Sequence, residues 1–171
     1  HTIQNVYEFL NSAGTFYFNK TTKTLYYYKR SDEDMSTARV FAPSAETILN
    51  IQGTSKTSRV RNITFKGITF ANTEAVLPNI AGSSGKTTVQ GSTWCIAYTN
   101  TDWHAEQYRA YDVMSSAIQV SNATSIVFED NALAHIGNEG IGIINDVTNA
   151  RIVGNVIYDV GGSAIQVGHP Q

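Results

Sequence analysis

The sequence predicts an all-β solenoid of short parallel strands, and three observations lead to this prediction. First, the stretch Ile126–Gly140 is repeated by Ala150–Ala164 at a fixed offset of 24 residues. Second, Asn62–Phe70 carries the same template, with the alternation of apolar residues that is typical of strands. Third, the copies are rich in β-branched residues and Asn/Gly turns, without a helical period. Such a repeat is typical of stacked β-strands, and it predicts an incomplete right-handed parallel β-helix with an N-terminal β-hairpin and a long aromatic insertion.

Residues 1–45 are predicted to form an N-terminal hairpin or cap region. Val6–Asn11 can form one helical turn, after which Thr15–Asn19 and Thr24–Lys29 read as two strands. The four residues Lys20–Lys23 between them fit a hairpin loop. Pro43 marks the border with the first rung, because proline is disfavoured inside a sheet.

Residues 46–171 are predicted to form the β-helix rungs. Just before each repeated segment stands an apolar pair, which predicts a second stack of inward-pointing side chains: Leu49 and Ile51, Ile118 and Val120, Ile141 and Ile143, Ile165 and Val167. Asn131 and Asn155 occupy equivalent positions, where the earlier copy has Ile68. We expect the two asparagines to stack inside a turn, bonded to each other and to the backbone, as in other ladders of stacked strands.

Between about residues 71 and 116 the repeat is interrupted by an insertion. Its length and its aromatic residues predict a folded segment that covers one face of the helix and forms a wall of a groove. Trp103, flanked by Asp102 and Glu106, is a candidate sugar-binding subsite; alternatively, Trp103 packs with Trp94 as the core of the insertion. Asp102, His104 and Glu106 also alternate as metal ligands do, but no fourth ligand is evident, so no metal is predicted.

Composition and charge narrow the function classes. A net charge of -2 and 15% charged residues do not provide the excess of positive charge that binds nucleic acid or an anionic membrane. No apolar run approaches the roughly 20 residues of a membrane span. Three Asn-X-Ser/Thr sequons, at Asn19, Asn62 and Asn122, favour a secreted glycoprotein. Cys95 is the only cysteine, and it is expected to be a buried thiol or to pair outside this chain.

The chain resembles the N-terminal half of the pectate-lyase-like right-handed β-helix proteins, most of all their secreted glycoside hydrolases. The segments that carry this resemblance are Thr15–Lys20, Thr24–Tyr28, Val40–Pro43, Ile48–Gly53, Asn62–Phe70, His135–Ile141 and Gly154–Gly162. The resemblance implies a carbohydrate-active protein whose acidic pair lies on later rungs. It leaves the reaction open, because this superfamily holds hydrolases, lyases and epimerases on one scaffold.

The repeat also indicates candidate catalytic residues. The offset of 24 places Asp159 one rung above His135, about 4.8 Å away, where the pair can act in acid/base chemistry or simply cap two turns. Glycoside hydrolysis uses two carboxyl groups about 5 to 9.5 Å apart, and Glu139 with Asp159 is one such pair on neighbouring rungs. Gln166 adds an amide for substrate binding.

The sequence therefore predicts the N-terminal portion of a secreted carbohydrate-active enzyme. We expect a glycoside hydrolase that acts on a polysaccharide or oligosaccharide without a cofactor. Its expected partner is the rest of the same β-helix, and no nucleic acid or membrane is expected as a partner. The first alternative is a polysaccharide lyase or epimerase, which would use Ca²⁺ or a cluster of Lys and Arg. Only Lys66, Arg59, Arg61 and Arg151 supply cations on the rungs. The second alternative is a non-catalytic carbohydrate-binding or adhesin β-helix.

Overall fold

The computed structural model describes residues 5–75, 85–86, 93–98 and 109–168, with side chains described for 5–75 and 114–168. The fold is all-β with parallel sheets, and its strands are Phe16–Asn19 (β1), Thr24–Tyr27 (β2), Leu49–Gln52 (β3), Val60–Lys66 (β4), Thr69–Ala71 (β5), Gly85–Lys86 (β6), Thr93–Tyr98 (β7), Arg109–Val113 (β8), Ser116–Ser121 (β9), Ala123–Glu129 (β10), Ala132–Ile136 (β11), Glu139–Ile143 (β12), Val147–Thr148 (β13), Arg151–Val153 (β14), Val156–Val160 (β15) and Ile165–Val167 (β16). No described helix is long and apolar enough to cross a membrane.

Residues 1–41 form one compact unit, which holds the predicted hairpin. The strands β1 and β2 pair antiparallel, with Asn19 opposite Thr24, so four residues form the loop. A short 3-10 turn, Tyr7–Phe9, precedes them. The ring of Tyr7 packs edge-on against Tyr17 and Tyr26, at centroid distances of 5.3 and 5.6 Å, and ties the turn to the hairpin.

Residues 42–171 form the second unit, which contains three open parallel sheets. Sheet 1 has the order β3-β9-β12-β16, sheet 2 joins β4, β10, β13 and β14, and sheet 3 has the order β5-β11-β15. The chain visits sheets 1, 2 and 3 in turn and then returns to sheet 1, and we call each such passage a rung. Among the described residues, none of these sheets closes on itself.

The predicted register is confirmed at the strand pairs. Phe128 lies opposite Ile152, Leu133 opposite Ile157 and Ile141 opposite Ile165, each 24 residues apart. On the first rung, Phe65 lies opposite Phe128 and Phe70 lies opposite Leu133. The insertion therefore lengthens one rung without changing which strands pair. Inward residues from all three sheets form one core, in which the rings of Phe65 and Phe128 stack at 5.2 Å.

The predicted asparagine stack is also confirmed. Asn131 is almost fully buried, and its amide nitrogen donates hydrogen bonds to Asn155 Oδ1 at 2.9 Å and to the Phe65 carbonyl at 3.0 Å. Its side-chain oxygen accepts the Ile68 N–H at 3.0 Å. One amide therefore joins three consecutive rungs at the turn between sheets 2 and 3.

The bends of the rungs occur at residues with positive φ, which fall in register from rung to rung. Strand pairing aligns three such columns: Asn62 with Ser125 and Asn149, Gly67 with Asp130 and Gly154, and Asn72 with His135 and Asp159. Most members are Gly, Asn or Asp, the residues that adopt the left-handed region at least cost. The third column includes the predicted His135–Asp159 pair.

The insertion contains an antiparallel sheet of β6, β7 and β8. Its predicted place over one face of the rungs remains a prediction.

Candidate functional site

The sequence-predicted pair His135 and Asp159 comes together at one exposed bend. His135 Nδ1 lies 2.6 Å from Asp159 Oδ2, and the side chains are 59% and 68% exposed. Both residues have positive φ, +54° and +52°, at the end of β11 and at the equivalent point of β15. Because β11 and β15 are neighbours in register, the bend turns both side chains out of the core and holds them one rung apart.

A tyrosine adjoins this pair. The ring of Tyr158 packs edge-on against His135 with centroids 6.1 Å apart, and Tyr158 is itself half exposed. Asn72 occupies the equivalent bend one rung below. We call these four residues, Asn72, His135, Tyr158 and Asp159, the His–Asp corner. It offers an imidazole, a carboxylate, an amide and an aromatic ring to solvent, the groups that bind sugar hydroxyls and exchange protons.

Glu139, the second predicted catalytic carboxyl, has a different environment. Its side chain is fully buried, and its Oε2 accepts the Ser163 N–H of the next rung at 2.6 Å. Its alternation with Ile141 and Ile143 along β12 directs it inward, since residues two apart share one face of a strand. Glu139 therefore links two rungs from inside, whereas Asp159 is exposed to solvent.

Glu139 belongs to a buried polar seam beside the corner, which the sequence did not reveal. Asn138 Nδ2 donates to Ser115 Oγ at 2.8 Å, and Ser115 Oγ donates to Glu46 Oε2 at 2.6 Å. Ser116 faces Glu139 across the β9–β12 pair and is also fully buried. Three buried oxygens of the seam have no hydrogen-bond partner among the described residues: Ser116 Oγ, Asn138 Oδ1 and Glu139 Oε1.

Glycines make this seam possible. A Cβ atom at Gly161 would overlap the carbonyl oxygen of Gly137 one rung below, and one at Gly162 would overlap Glu139 Oε1. The backbone of the third rung thus approaches the second too closely for any side chain. The stacked glycines at 137 and 161, visible in the sequence repeat, are a packing requirement of the bend.

The remaining predicted residues lie elsewhere. Gln166 is half-buried on β16, and its Oε1 is buried without a partner among the described residues. Several residues of the insertion lie outside the part of the chain that the structure describes: Asp102, Trp103, His104 and Glu106, and the side chains of Trp94 and Cys95. The predicted sugar subsite and the alternative aromatic core therefore remain predictions. Within the described residues, no group of three His, Cys, Asp or Glu side chains could hold a metal ion.

The predicted glycosylation sites differ in exposure. Asn62 is exposed on β4 at one of the bends. Asn122 is half-buried, and its Nδ2 donates to the Gly53 carbonyl at 3.1 Å. The Oδ1 of Asn19 accepts the N–H groups of Thr21 and Thr22 within the hairpin loop. Of these three asparagines, Asn62 is the most accessible.

Glu129 and Asp130 form part of an ion-pair network with Lys66 on the outside of sheet 2. Lys66 Nζ contacts Glu129 Oε1, and it lies 3.5 Å from Asp130 Oδ2. The hydrogen bond from Lys66 lowers the pKa of Glu129 and raises that of Lys66. These acids stabilise the ionised form of Lys66, as is typical of an ion pair on a solvated turn.

Comparison with known proteins identified no relative: no family model, no curated protein and no solved structure matches this chain.

Proposed function

We propose that this chain forms rungs of a right-handed parallel β-helix in a secreted carbohydrate-active enzyme, namely a glycoside hydrolase. The strand register supports the first part of the proposal. Parallel strands of one sheet that are joined by a crossover are right-handed in about 98% of cases, and each return of the chain to sheet 1 is such a crossover. The resemblance to pectate-lyase-like β-helix proteins points in the same direction.

The observation that carries the enzymatic proposal is the His–Asp corner. An exposed carboxylate and imidazole 2.6 Å apart, next to an exposed tyrosine ring, occupy the outside of stacked strands. In the proposed reaction, Asp159 supplies one of the two carboxyl groups and His135 fixes its orientation and exchanges protons with it. The second carboxyl would come from a strand stacked beyond Asp159.

Glu139 is less suited to that second role. A sugar could reach its carboxyl group only if residues 161–163 moved, because Ser163 bonds it and Gly162 packs against it. In this proposal Glu139 is therefore a positioning residue, which fixes residues 161–163 directly after Asp159.

The strand β16 has no neighbour on one side among the described residues. Ile165 and Val167 continue the inward columns of sheet 1, yet they are 43% and 77% exposed, whereas Ile141 is fully buried. Apolar side chains at such positions are stabilised when another strand covers them. We propose that a further part of the same β-helix, which carries the second carboxyl, is the partner of this edge.

The test is a substrate screen that separates the candidate reactions. The longest available form of the protein is incubated with neutral and uronic polysaccharides, while new reducing ends and the ultraviolet absorbance of unsaturated products are followed. New reducing ends without absorbance support a hydrolase, and absorbance indicates a lyase. Binding without any product would refute the enzymatic proposal in favour of a carbohydrate-binding module.

Paired variants then locate the activity. Asp159→Asn is expected to lower the rate at least about a hundredfold, the scale of a lost acid/base group. Asp146→Asn is the matched control, because Asp146 is also an aspartate with positive φ on the third rung and pairs with Lys56. Equal activity of the two variants would exclude the His–Asp corner as the catalytic site.

A further inference from the structure

The β1 edge of the N-terminal hairpin is occupied by a side chain. The amide of Asn5 accepts the Phe18 N–H at 2.8 Å and donates to the Phe18 carbonyl at 3.1 Å. Along an antiparallel strand, the backbone groups of successive residues point alternately towards the partner strand and away from it. Phe18 points its groups away from β2, so Leu25, which lies opposite it, points its groups away from β1. The same alternation applies to Tyr27, two residues further on.

The β2 edge is open. The outward N–H and C=O groups of Leu25 and Tyr27 have no hydrogen-bond partner among the residues that the structure describes. A two-stranded hairpin is only marginally stable by itself, and an open edge is a template for a further strand. Because Asn5 occupies the β1 edge, a further strand can join the hairpin at β2.

Aromatic and aliphatic side chains extend to this open edge on both faces of the hairpin. On one face, Phe16 is 63% exposed and Leu25 is 43% exposed. On the other face, Tyr26 is 40% exposed, although the rings of Tyr7 and Tyr17 pack against it. A strand that joined at β2 would therefore find apolar surface on each side.

We infer that the open edge of β2 pairs antiparallel with the same edge of a second copy of this chain, so that two hairpins form one four-stranded sheet. The free backbone groups set the register: Leu25 pairs with Tyr27 of the second copy, and the two copies of Tyr26 meet at the two-fold axis. This inference concerns association and does not depend on the proposed reaction.

The register joins like surfaces into rows that cross all four strands. One face carries the row of Phe16, Tyr27, and Leu25 and Phe18 of the second copy. The other face carries a row of four tyrosines, Tyr17 and Tyr26 from each copy. Cross-strand aromatic and aliphatic pairs of this kind stabilise sheets.

The charges at the two ends of β2 favour the antiparallel direction. Residues 20–23, before the strand, contain two lysines and no acid, whereas residues 29–34, after it, contain two cations and three acids. Antiparallel pairing brings the cationic end of each copy to the acidic end of the other. Lys23 would lie opposite Lys29 of the second copy, but the Lys29 ammonium group bonds the Glu33 carbonyl at 3.2 Å, among these acids.

A cysteine at the two-fold axis tests the register. In a chain that carries Cys95→Ser, Tyr26→Cys should form a covalent dimer on mild oxidation, because residues opposite each other in a non-hydrogen-bonded pair have Cα atoms about 4.5 Å apart, within reach of a disulfide. The matched control is Tyr28→Cys, whose two copies would be offset by four residues, roughly 13 Å, and should stay reduced. Mass spectrometry under non-reducing conditions measures the dimer. Equal cross-linking of the two variants, or none of Tyr26→Cys, would overturn the inference.

Sedimentation equilibrium measures the association of the chain without a cross-link. We expect a monomer–dimer equilibrium that Leu25→Pro weakens at least about tenfold, because each copy loses an outward N–H while the bonds within the hairpin remain. Leu25→Val keeps this donor and should change the dissociation constant by less than about threefold. A chain that stays monomeric up to about 1 mM would overturn the inference. So would dimers of a folded Leu25→Pro variant as stable as those of wild type, since the interface would then lie elsewhere.

Discussion

Asn131 shows at the residue scale how one polar side chain can replace an apolar one inside the stack. Ile68, at the same place one rung below, is 40% exposed, while Asn131 is almost fully buried. Burial of an amide is tolerated when its donors and acceptor are bonded, and the described contacts of Asn131 satisfy both its nitrogen and its oxygen. The asparagine thereby joins the backbone turns of neighbouring rungs.

We expect Asn131→Ala to lower the free energy of unfolding by about 3 kcal/mol, because the Ile68 N–H and the Phe65 carbonyl lose their side-chain partner. Urea unfolding followed by circular dichroism measures this change. Asn50→Ala is the control, since Asn50 is exposed and makes only a 3.5 Å contact with Gln52; it should change stability by less than about 0.5 kcal/mol. Similar losses for the two variants would show that the asparagine stack contributes little.

His135 is the unusual member of the positive-φ columns. Its neighbours in the column, Asn72 and Asp159, belong to the residue types that adopt this backbone region most readily. Histidine is also enriched there relative to most residues, so the backbone alone does not establish a function. The exposed contact with Asp159, rather than the dihedral angle, is what makes this bend a candidate site.

At the scale of elements, the N-terminal hairpin is completed by a loop that one carboxylate organises. Glu33 accepts hydrogen bonds from the Tyr27 hydroxyl at 2.6 and 2.8 Å, from the Arg30 N–H at 2.8 Å and from the Arg30 guanidinium at 3.1 Å. The Tyr27 hydroxyl and then the Arg30 N–H lower the pKa of Glu33 below its ordinary value of 4.5. The ionised carboxylate therefore stabilises the folded hairpin.

The pH dependence follows from the sign of that shift. A lowered pKa in the folded state means that the stabilisation is complete above pH 4.5 and is lost as the pH falls through the lowered pKa of Glu33. The unfolding midpoint of wild type should exceed that of Glu33→Gln near neutral pH, and the difference should shrink as acid is added. Glu8→Gln removes another acid of the same unit and should not reproduce this profile. A difference independent of pH would contradict the prediction.

Sheet 2 shows how an element gathers charge that the sequence disperses. Its central strand, β10, pairs with β4 on one side and with β13 and β14 on the other, so cations from the first and third rungs share one sheet. Salt bridges with Glu129, Asp130 and Asp146 neutralise the lysines, and exposed pairs of this kind contribute little to stability. Arg151 adds to this network, because its charge also lowers the pKa of Glu129.

At the scale of the whole molecule, the stack is nearly one-dimensional, because each rung contacts mainly its neighbours. Along one column of sheet 1, Ile118 and Ile141 are fully buried between rungs, whereas Ile165 on the last rung is 43% exposed. The same side chain thus has two environments, which depend only on its position in the stack.

Truncation along this column should have graded effects. We expect Ile141→Ala to cost about 2 to 5 kcal/mol in the free energy of unfolding, and Ile165→Ala to cost less than about 1 kcal/mol in the chain of 171 residues. Urea unfolding measures both. If a further strand covers this edge as proposed, the cost of Ile165→Ala should rise to that of Ile141→Ala. Equal costs in the 171-residue chain would contradict the exposed edge.

The sequence by itself determined the strand register, the hairpin, the asparagine stack and the proximity of His135 to Asp159. It could do so because the side chains of a strand alternate faces, so a slip by one residue would expose the whole core, and a constant offset of 24 therefore fixes which residues meet. Glu139 could also have been placed inside from the sequence, since it alternates with Ile141 and Ile143.

Only the tertiary structure decided what the outer faces display. The insertion separates Phe65 from its partner Phe128 by 63 positions instead of 24, so Arg61 and Arg151 carry no common period that would show them on one sheet. The polar seam likewise joins Glu46, Ser115 and Asn138 across the insertion. The sequence period identifies core residues, because every rung must bury apolar side chains at the same positions. Side chains that point outward need not repeat from rung to rung, so their neighbours are known only from the folded structure.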